Sequence, residues 1–180
     1  MAGGTSNKSA SQLMAEANKK AKSAGGFFQR MMGAGSTAVE AYKRALDLST
    51  EDYEKAQMYE AIASSYKMFD VPQAIPPLTR AVEMHMSQGK WTMASQTLEK
   101  VAEFYEQLND SDNMMRCLKE AHRFLRQEGQ KAGANRVQKK MAETLALQHQ
   151  HMRAQEQYEE MADKTKDDAL LKYGAKDFWL

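Results

Sequence analysis

The chain has one cysteine, Cys117, and three prolines in 180 residues. One cysteine excludes an internal disulfide, and with it a small secreted scaffold held by cross-links. Apolar runs stay far short of the ~18–20 residues that a membrane-spanning helix needs. The opening residues Met1 to Lys8 lack the hydrophobic stretch of a secretory signal, so the glycosylation sequon Asn7-Lys8-Ser9 is discounted. An excess of charge is missing too: 25 Lys and Arg against 24 Asp and Glu leave a formal +1. That balance excludes a globally basic nucleic-acid coat and an acidic solvating tail, but not local patches. The expectation is a single-domain cytosolic protein.

Signs of catalysis and of cofactor or metal binding are also wanting. The four histidines, at 85, 122, 149 and 151, show no HExxH or cysteine-rich ligand spacing. His149 and His151, two positions apart, are expected on different helix faces. Asp110-Ser111-Asp112 resembles the start of a calcium loop but lacks its glycine at position 6 and glutamate at position 12, so it reads as a helix-capping turn. There is no glycine-rich phosphate loop, nucleophile elbow or Cys–His pair. Cys117, on an apolar-periodic segment, reads as a small core residue. Neither enzyme activity nor a cofactor is expected.

What is abundant is helix-forming: Ala, Met, Gln, Glu, Lys and Leu dominate, and alternating strand-like runs are absent. Fourteen methionines read mostly as gap-fillers between helices. Alanines recur at Ala41, Ala61, Ala81, Ala102, Ala121, Ala142 and Ala162, about 20 residues apart. Punctuation falls between them: Ser49-Thr50, Asp70-Val71-Pro72, Gln88-Gly89, Asn109-Asp110-Ser111 and Glu128-Gly129. One helix per 20 residues, paired into units of about 40, predicts an all-α, tetratricopeptide-like right-handed solenoid of antiparallel helix pairs. The plainer alternative is an Ala-rich bundle. Helices are expected over 8–24, 37–48, 51–69, 73–87, 90–108, 112–127, 131–148, 150–163 and 166–179. Thr50 and Ser111 are read as caps, and the helix containing Pro76-Pro77 is expected to start or kink at Pro76.

Three stretches depart from the pattern. Residues 25–36 place Phe27, Phe28, Met31 and Met32 in a glycine-flanked loop, and residues 1–30 carry five Lys or Arg against one acid. Apolar side chains beside lysines suit an anionic membrane surface. The competing reading is a loop that plugs the end of the solenoid. Lys131, Arg136, Lys139 and Lys140 form a basic patch with no acid from 129 to 142, and Arg136 and Lys140 share a helix face. Such a patch is a binding site or merely a solvated face. Residues 154–168 carry six acids against two lysines.

Three ordered blocks resemble the α-type soluble NSF attachment protein (SNAP) family. They are Asp168-Ala169-Leu170-Leu171-Lys172-Tyr173 with Lys176-Asp177-Phe178, then Asp70 to Ile75 with Arg80 to Met84 and Gly89 to Ala94, and the loop from Ser23 to Ser36. The resemblance implies a tetratricopeptide-like adaptor. Such a protein binds assembled SNARE four-helix bundles with a basic face and links them to the NSF AAA+ ATPase for disassembly. It implies a peripheral association with membranes through Phe27, Phe28, Met31 and Met32, and a role in ER–Golgi and other vesicle transport. It places the SNARE-binding cations at Lys67, Lys90, Arg136 and Lys140, with Gln96 where the family has a further lysine. Residues 1–36 then form the N-terminal helix and membrane loop, and 37–180 the repeat domain. The family extends further, with a C-terminal bundle that engages the ATPase. The segment before Ala61 is shorter than in the family by about one helix pair, and the apolar ending Phe178-Trp179-Leu180 falls inside an expected helix. An incomplete form, or one that binds without stimulating disassembly, is therefore expected. The alternatives are a general tetratricopeptide scaffold without SNARE specificity, although no Asn and Lys recur at fixed repeat positions as peptide-holding repeats require, and a mainly lipid-binding protein.

Overall fold

The computed structural model describes residues 9–23 and 33–166. They form eight helices: α1 Ala10–Ser23, α2 Ala34–Leu48, α3 Asp52–Tyr66, α4 Val71–Ser87, α5 Trp91–Gln107, α6 Ser111–Gln127, α7 Lys131–Leu147 and α8 His151–Lys166. The all-α expectation holds, with no strand among the described residues. Each helix packs against its neighbours in sequence, because short turns fold the chain back on itself.

The 20-residue period has a local cause. Helices α4 to α7 are each 17 residues long, and a turn of three residues follows each. The middle residue of every such turn is left-handed: Gly89 (φ 67°), Asn109 (56°), Gly129 (69°) and His149 (60°). The next backbone N–H then reaches back five residues, from Lys90 to the His85 carbonyl at 2.9 Å and from Gln130 to that of Leu125 at 2.8 Å. Asp110 to Tyr105 and Gln150 to Leu145 repeat the bond at 2.9 Å. This closure satisfies carbonyls that the helix end would leave bare. A Cβ built on Gly89 or Gly129 meets nothing within 4 Å, so glycine serves there for its φ and not for space.

Several expectations are corrected at the helix starts. The cap of α6 is Asp110, not Ser111: its Oδ1 accepts from the Asn113 backbone N–H at 3.1 Å and its Oδ2 from the Asn113 side-chain amide at 2.7 Å. Those bonds from Asn113 hold the Asp110 carboxyl below its ordinary range. Thr50 caps nothing. Glu51 occupies the N-cap position of α3, and neighbouring Ser49 donates to Glu54 at 3.0 Å. Helix α4 does not start at Pro76 but at Val71, where Asp70 accepts from the Gln73 N–H. Pro76 and Pro77 fall in its first two turns, where they forgo only the bonds back to the carbonyls of Pro72 and Gln73. His149 sits in a turn and not on a helix face, so its ring meets that of His151 edge-on, 5.9 Å between centroids.

Small residues set the packing distance. Ala81, Ala102, Ala121 and Ala142 are fully buried, Ala41 nearly so, and Ala61 and Ala162 partly. One core cluster joins Ala17 of α1 to Ala38, Val39 and Tyr42 of α2 and Ile62 of α3. Another joins Ala102 of α5 to Leu118 and Leu125 of α6 and Val137 and Met141 of α7. Cys117 packs against this cluster, and burial pushes its thiol up to about 11. It lies at the edge of the core and is partly buried, where its periodicity implies a core residue.

Candidate functional site

Alternate helices also touch, and this positions the site. Glu60 of α3 accepts from Lys100 Nζ of α5 at 2.6 Å, from Thr97 Oγ1 of α5 at 3.0 Å and from buried His85 of α4 at 3.3 Å. One carboxylate thus ties three helices. Its burial pushes the pKa up, but the bonds from Lys100, His85 and Thr97 outweigh that and hold Glu60 ionised below the ordinary carboxylate range.

The four cations singled out in the sequence lie at the end of α3, at the start of α5 and on α7; Lys67, Arg136 and Lys140 engage α5 side chains, and Lys90, at the α5 N-cap, reaches back to α3. Lys67, the residue that ends α3, is exposed and lies over the Phe104 ring of α5, 5.7 Å from its centroid. Lys90, the N-cap position of α5, lies over the Tyr53 ring of α3 at 4.4 Å. Both are within cation–π range. Arg136 of α7 donates through Nη2 to Glu99 Oε1 at 2.7 Å, and Lys140 Nζ lies 3.5 Å from Glu106 Oε2. Arg136 and Lys140 share one face of α7, as their spacing implies. Lys67 and Lys90 mark opposite ends of α5, separated along its axis by about 20 Å at 1.5 Å per residue.

The surface is not uniformly basic. Gln96, Glu99, Glu103 and Glu106 recur at helical spacing and form one stripe of α5. Two of those carboxylates neutralise Arg136 and Lys140. The acid-free run from 129 to 142 hid this, because the acids come from another helix. Even so the Arg136 side chain is 67% exposed, and Glu99 uses one of its five N–H donors. The guanidinium can bridge Glu99 and a second carboxylate at once. Lys100, on the same layer, is an exposed cation that sequence reasoning missed. Its position four residues after Gln96 is the signal that points to it.

Phe27, Phe28, Met31 and Met32 lie outside the described residues, as does the block Asp168 to Phe178. No described helix is long and apolar enough to cross a membrane.

Comparison with known proteins bears on this surface. The chain is 27% identical to the alpha-soluble NSF attachment protein of Homo sapiens, in a match spanning 93% of this chain and 66% of that protein. It is 26% identical to the beta-soluble NSF attachment protein of Bos taurus, over 93% and 65%. It is 24% identical to the vesicular-fusion protein SEC17 of Komagataella phaffii, over 94% and 67%. The chain therefore spans about two thirds of the length of these relatives. Among solved structures it resembles a kinesin light chain of Podosopora anserina with TPR-like repeats, with a TM-score of 0.58, 13% identity and coverage of 87% of this chain and 74% of that one. BtubC from P. vanneervenii gives 0.57 and 14%, over 86% and 73%. Those structures support the tetratricopeptide-like architecture. The family model for soluble NSF attachment protein, SNAP, matches residues 34–180, a span that takes in seven of the eight helices and all four candidate cations. The chain belongs to the SNAP family.

Proposed function

We propose that the chain is an adaptor that binds assembled SNARE four-helix bundles through its α3–α5–α7 surface and links them to the NSF AAA+ ATPase. The observation that supports this most is the gathering along α5 of Lys90 at its start and of Lys67, Arg136 and Lys140 from α3 and α7. A row of cations separated by up to about 20 Å suits a long, carboxylate-bearing rod better than a short peptide. Residues 1–36 serve the membrane, with Phe27, Phe28, Met31 and Met32 as the contact, and 37–180 serve the partner. The protein works on the cytoplasmic side in vesicle transport, held at membranes peripherally, and binds SNAREs without itself stimulating their disassembly.

A pull-down with an assembled SNARE bundle beside monomeric SNAREs tests the reading. The variant Lys90→Glu, Arg136→Glu, Lys140→Glu loses most bundle binding while its circular dichroism stays helical. Equal binding by wild type and variant overturns the surface assignment, and equal capture of bundle and monomers favours a general scaffold. For the membrane end, Phe27→Ser with Phe28→Ser reduces binding to liposome-anchored SNAREs far more than to soluble bundles. Equal losses in both formats, with a lower melting temperature, show a plug instead.

A further inference from the structure

Tyr53, the second residue of α3, is 45% exposed and is the one exposed tyrosine among the described residues. Its hydroxyl makes no hydrogen bond among those residues, whereas Tyr42 donates to Asn18 and Tyr66 accepts from Lys43. Tyr59, Tyr105 and Tyr158 are partly buried. Acids flank Tyr53 on both sides, in the run Glu51-Asp52-Tyr53-Glu54. Such a run suits an enzyme groove lined with cations, by charge complementarity. The run also opens a helix. Glu51, at the N-cap position, makes no side-chain bond to the first turn of α3, and a helix end held by backbone alone frays readily into the extended form that a groove can take.

Lys90 decides what a charge at this tyrosine does. Its Nζ lies 4.4 Å from the Tyr53 ring centroid. The flexible lysine stem lets the ammonium slide from the ring face to a phosphate on the hydroxyl of the same ring. Glu51, Asp52 and Glu54 repel such a phosphate, while Lys90 and the amino-terminal end of α3 attract it.

We propose that Tyr53 is a phosphorylation site, modified by a tyrosine-directed protein kinase, and that the phosphate takes Lys90 out of the binding surface. In the transfer, Tyr53 Oη attacks the γ-phosphorus of a nucleoside triphosphate. The bond from that phosphorus to the bridging oxygen breaks, the nucleoside diphosphate leaves with the electron pair, and the phenolic proton passes to a base of the kinase. The product carries about −1.5 to −2 of charge at neutral pH. It pairs with Lys90 and adds net negative charge beside the cations, so a carboxylate-bearing partner is held less tightly. This consequence rests on the SNARE-bundle reading, whereas the site and its pairing with Lys90 do not.

The test treats the full chain with a recombinant tyrosine kinase and magnesium ATP and maps the phosphate by mass spectrometry. Tyr53 is expected to be modified before any other tyrosine, including Tyr158, which also has acids on both sides but is partly buried. Tyr53→Phe keeps the ring over Lys90 and loses that product. Phosphorus NMR then follows the second ionisation of the phosphate, about pH 6 in the free group. Lys90 is expected to lower it relative to the same phosphate in Lys90→Gln. Binding of an assembled SNARE bundle is expected to fall about fivefold or more at low salt, the upper range of one exposed ion pair, and less at high salt. Absence of phosphate at Tyr53, or earlier modification of another tyrosine, overturns the site. Equal ionisation in wild type and Lys90→Gln overturns the pairing. Equal bundle binding by modified and unmodified protein overturns the consequence. Failure of the unmodified protein to bind the bundle overturns the parent reading instead, and the first two measurements, made without the bundle, still decide the site.

Discussion

Nε2 of His85, a residue 1% exposed on α4, lies 3.3 Å from Oε1 of Glu60 on α3. An ionised carboxylate only accepts, so that nitrogen carries the proton. The pair closes a network that includes Thr97 and Lys100 and holds α3, α4 and α5 in register before any partner arrives.

Replacing Glu60 by Gln leaves Lys100 without its charge partner and weakens two further bonds. The expected loss is about 1–3 kcal/mol of folding stability, measured by urea denaturation. The Glu60 carboxyl is held below its ordinary range, so its contribution is complete at neutral pH and is lost as pH falls through the folded-state value. Wild type should therefore lose stability on acidification more steeply than Glu60→Gln. Parallel curves would show that the network contributes nothing through charge.

His149 adopts φ 60° where the equivalent turns use glycine or asparagine. His149→Gly relieves that strain and is expected to raise stability by about 0.5–1 kcal/mol. Gly129→Val is expected to do the reverse by 1 kcal/mol or more, although nothing would touch its Cβ. Thermal melts of the two variants read opposite signs. Equal signs would mean that φ does not govern these turns.

The thiol of Cys117, pushed up to about 11, is about 0.1% thiolate at pH 8. A disulfide reagent should label it slowly in the native protein and at once in denaturant. Fast native labelling would show that the α5–α6 contact opens readily.

Leu118 is fully buried in the cluster joining α5, α6 and α7. Leu118→Ala is expected to cost about 2–5 kcal/mol. Because those helices carry the binding cations, the same variant should lower affinity for the SNARE bundle only near its melting temperature. A large loss of affinity well below that temperature would mean that Leu118 tunes the surface itself.

The amino-acid sequence by itself determined the repeat. Seventeen helix-forming residues, a three-residue turn and a small alanine at each crossing are local properties, and they impose a 20-residue period however the helices later cross. Gly89 and Gly129 mark two of the turns openly. Asn109 and His149 do the same work in less recognisable form. The shared face of Arg136 and Lys140 was equally legible, because four residues make about one turn of helix. The start of α4 was less so: Asp70 capping outweighed the prolines that follow. What faces each cation was decided by tertiary structure alone. Arg136 and Glu99 are 37 positions apart, as are Lys67 and Phe104, and Lys90 meets Tyr53 across the same distance in sequence. A helical stripe states which residues point the same way, but the stripe opposite is chosen by how alternate helices pack across the layer. That choice turned an apparently bare basic patch into a surface where carboxylates and cations alternate.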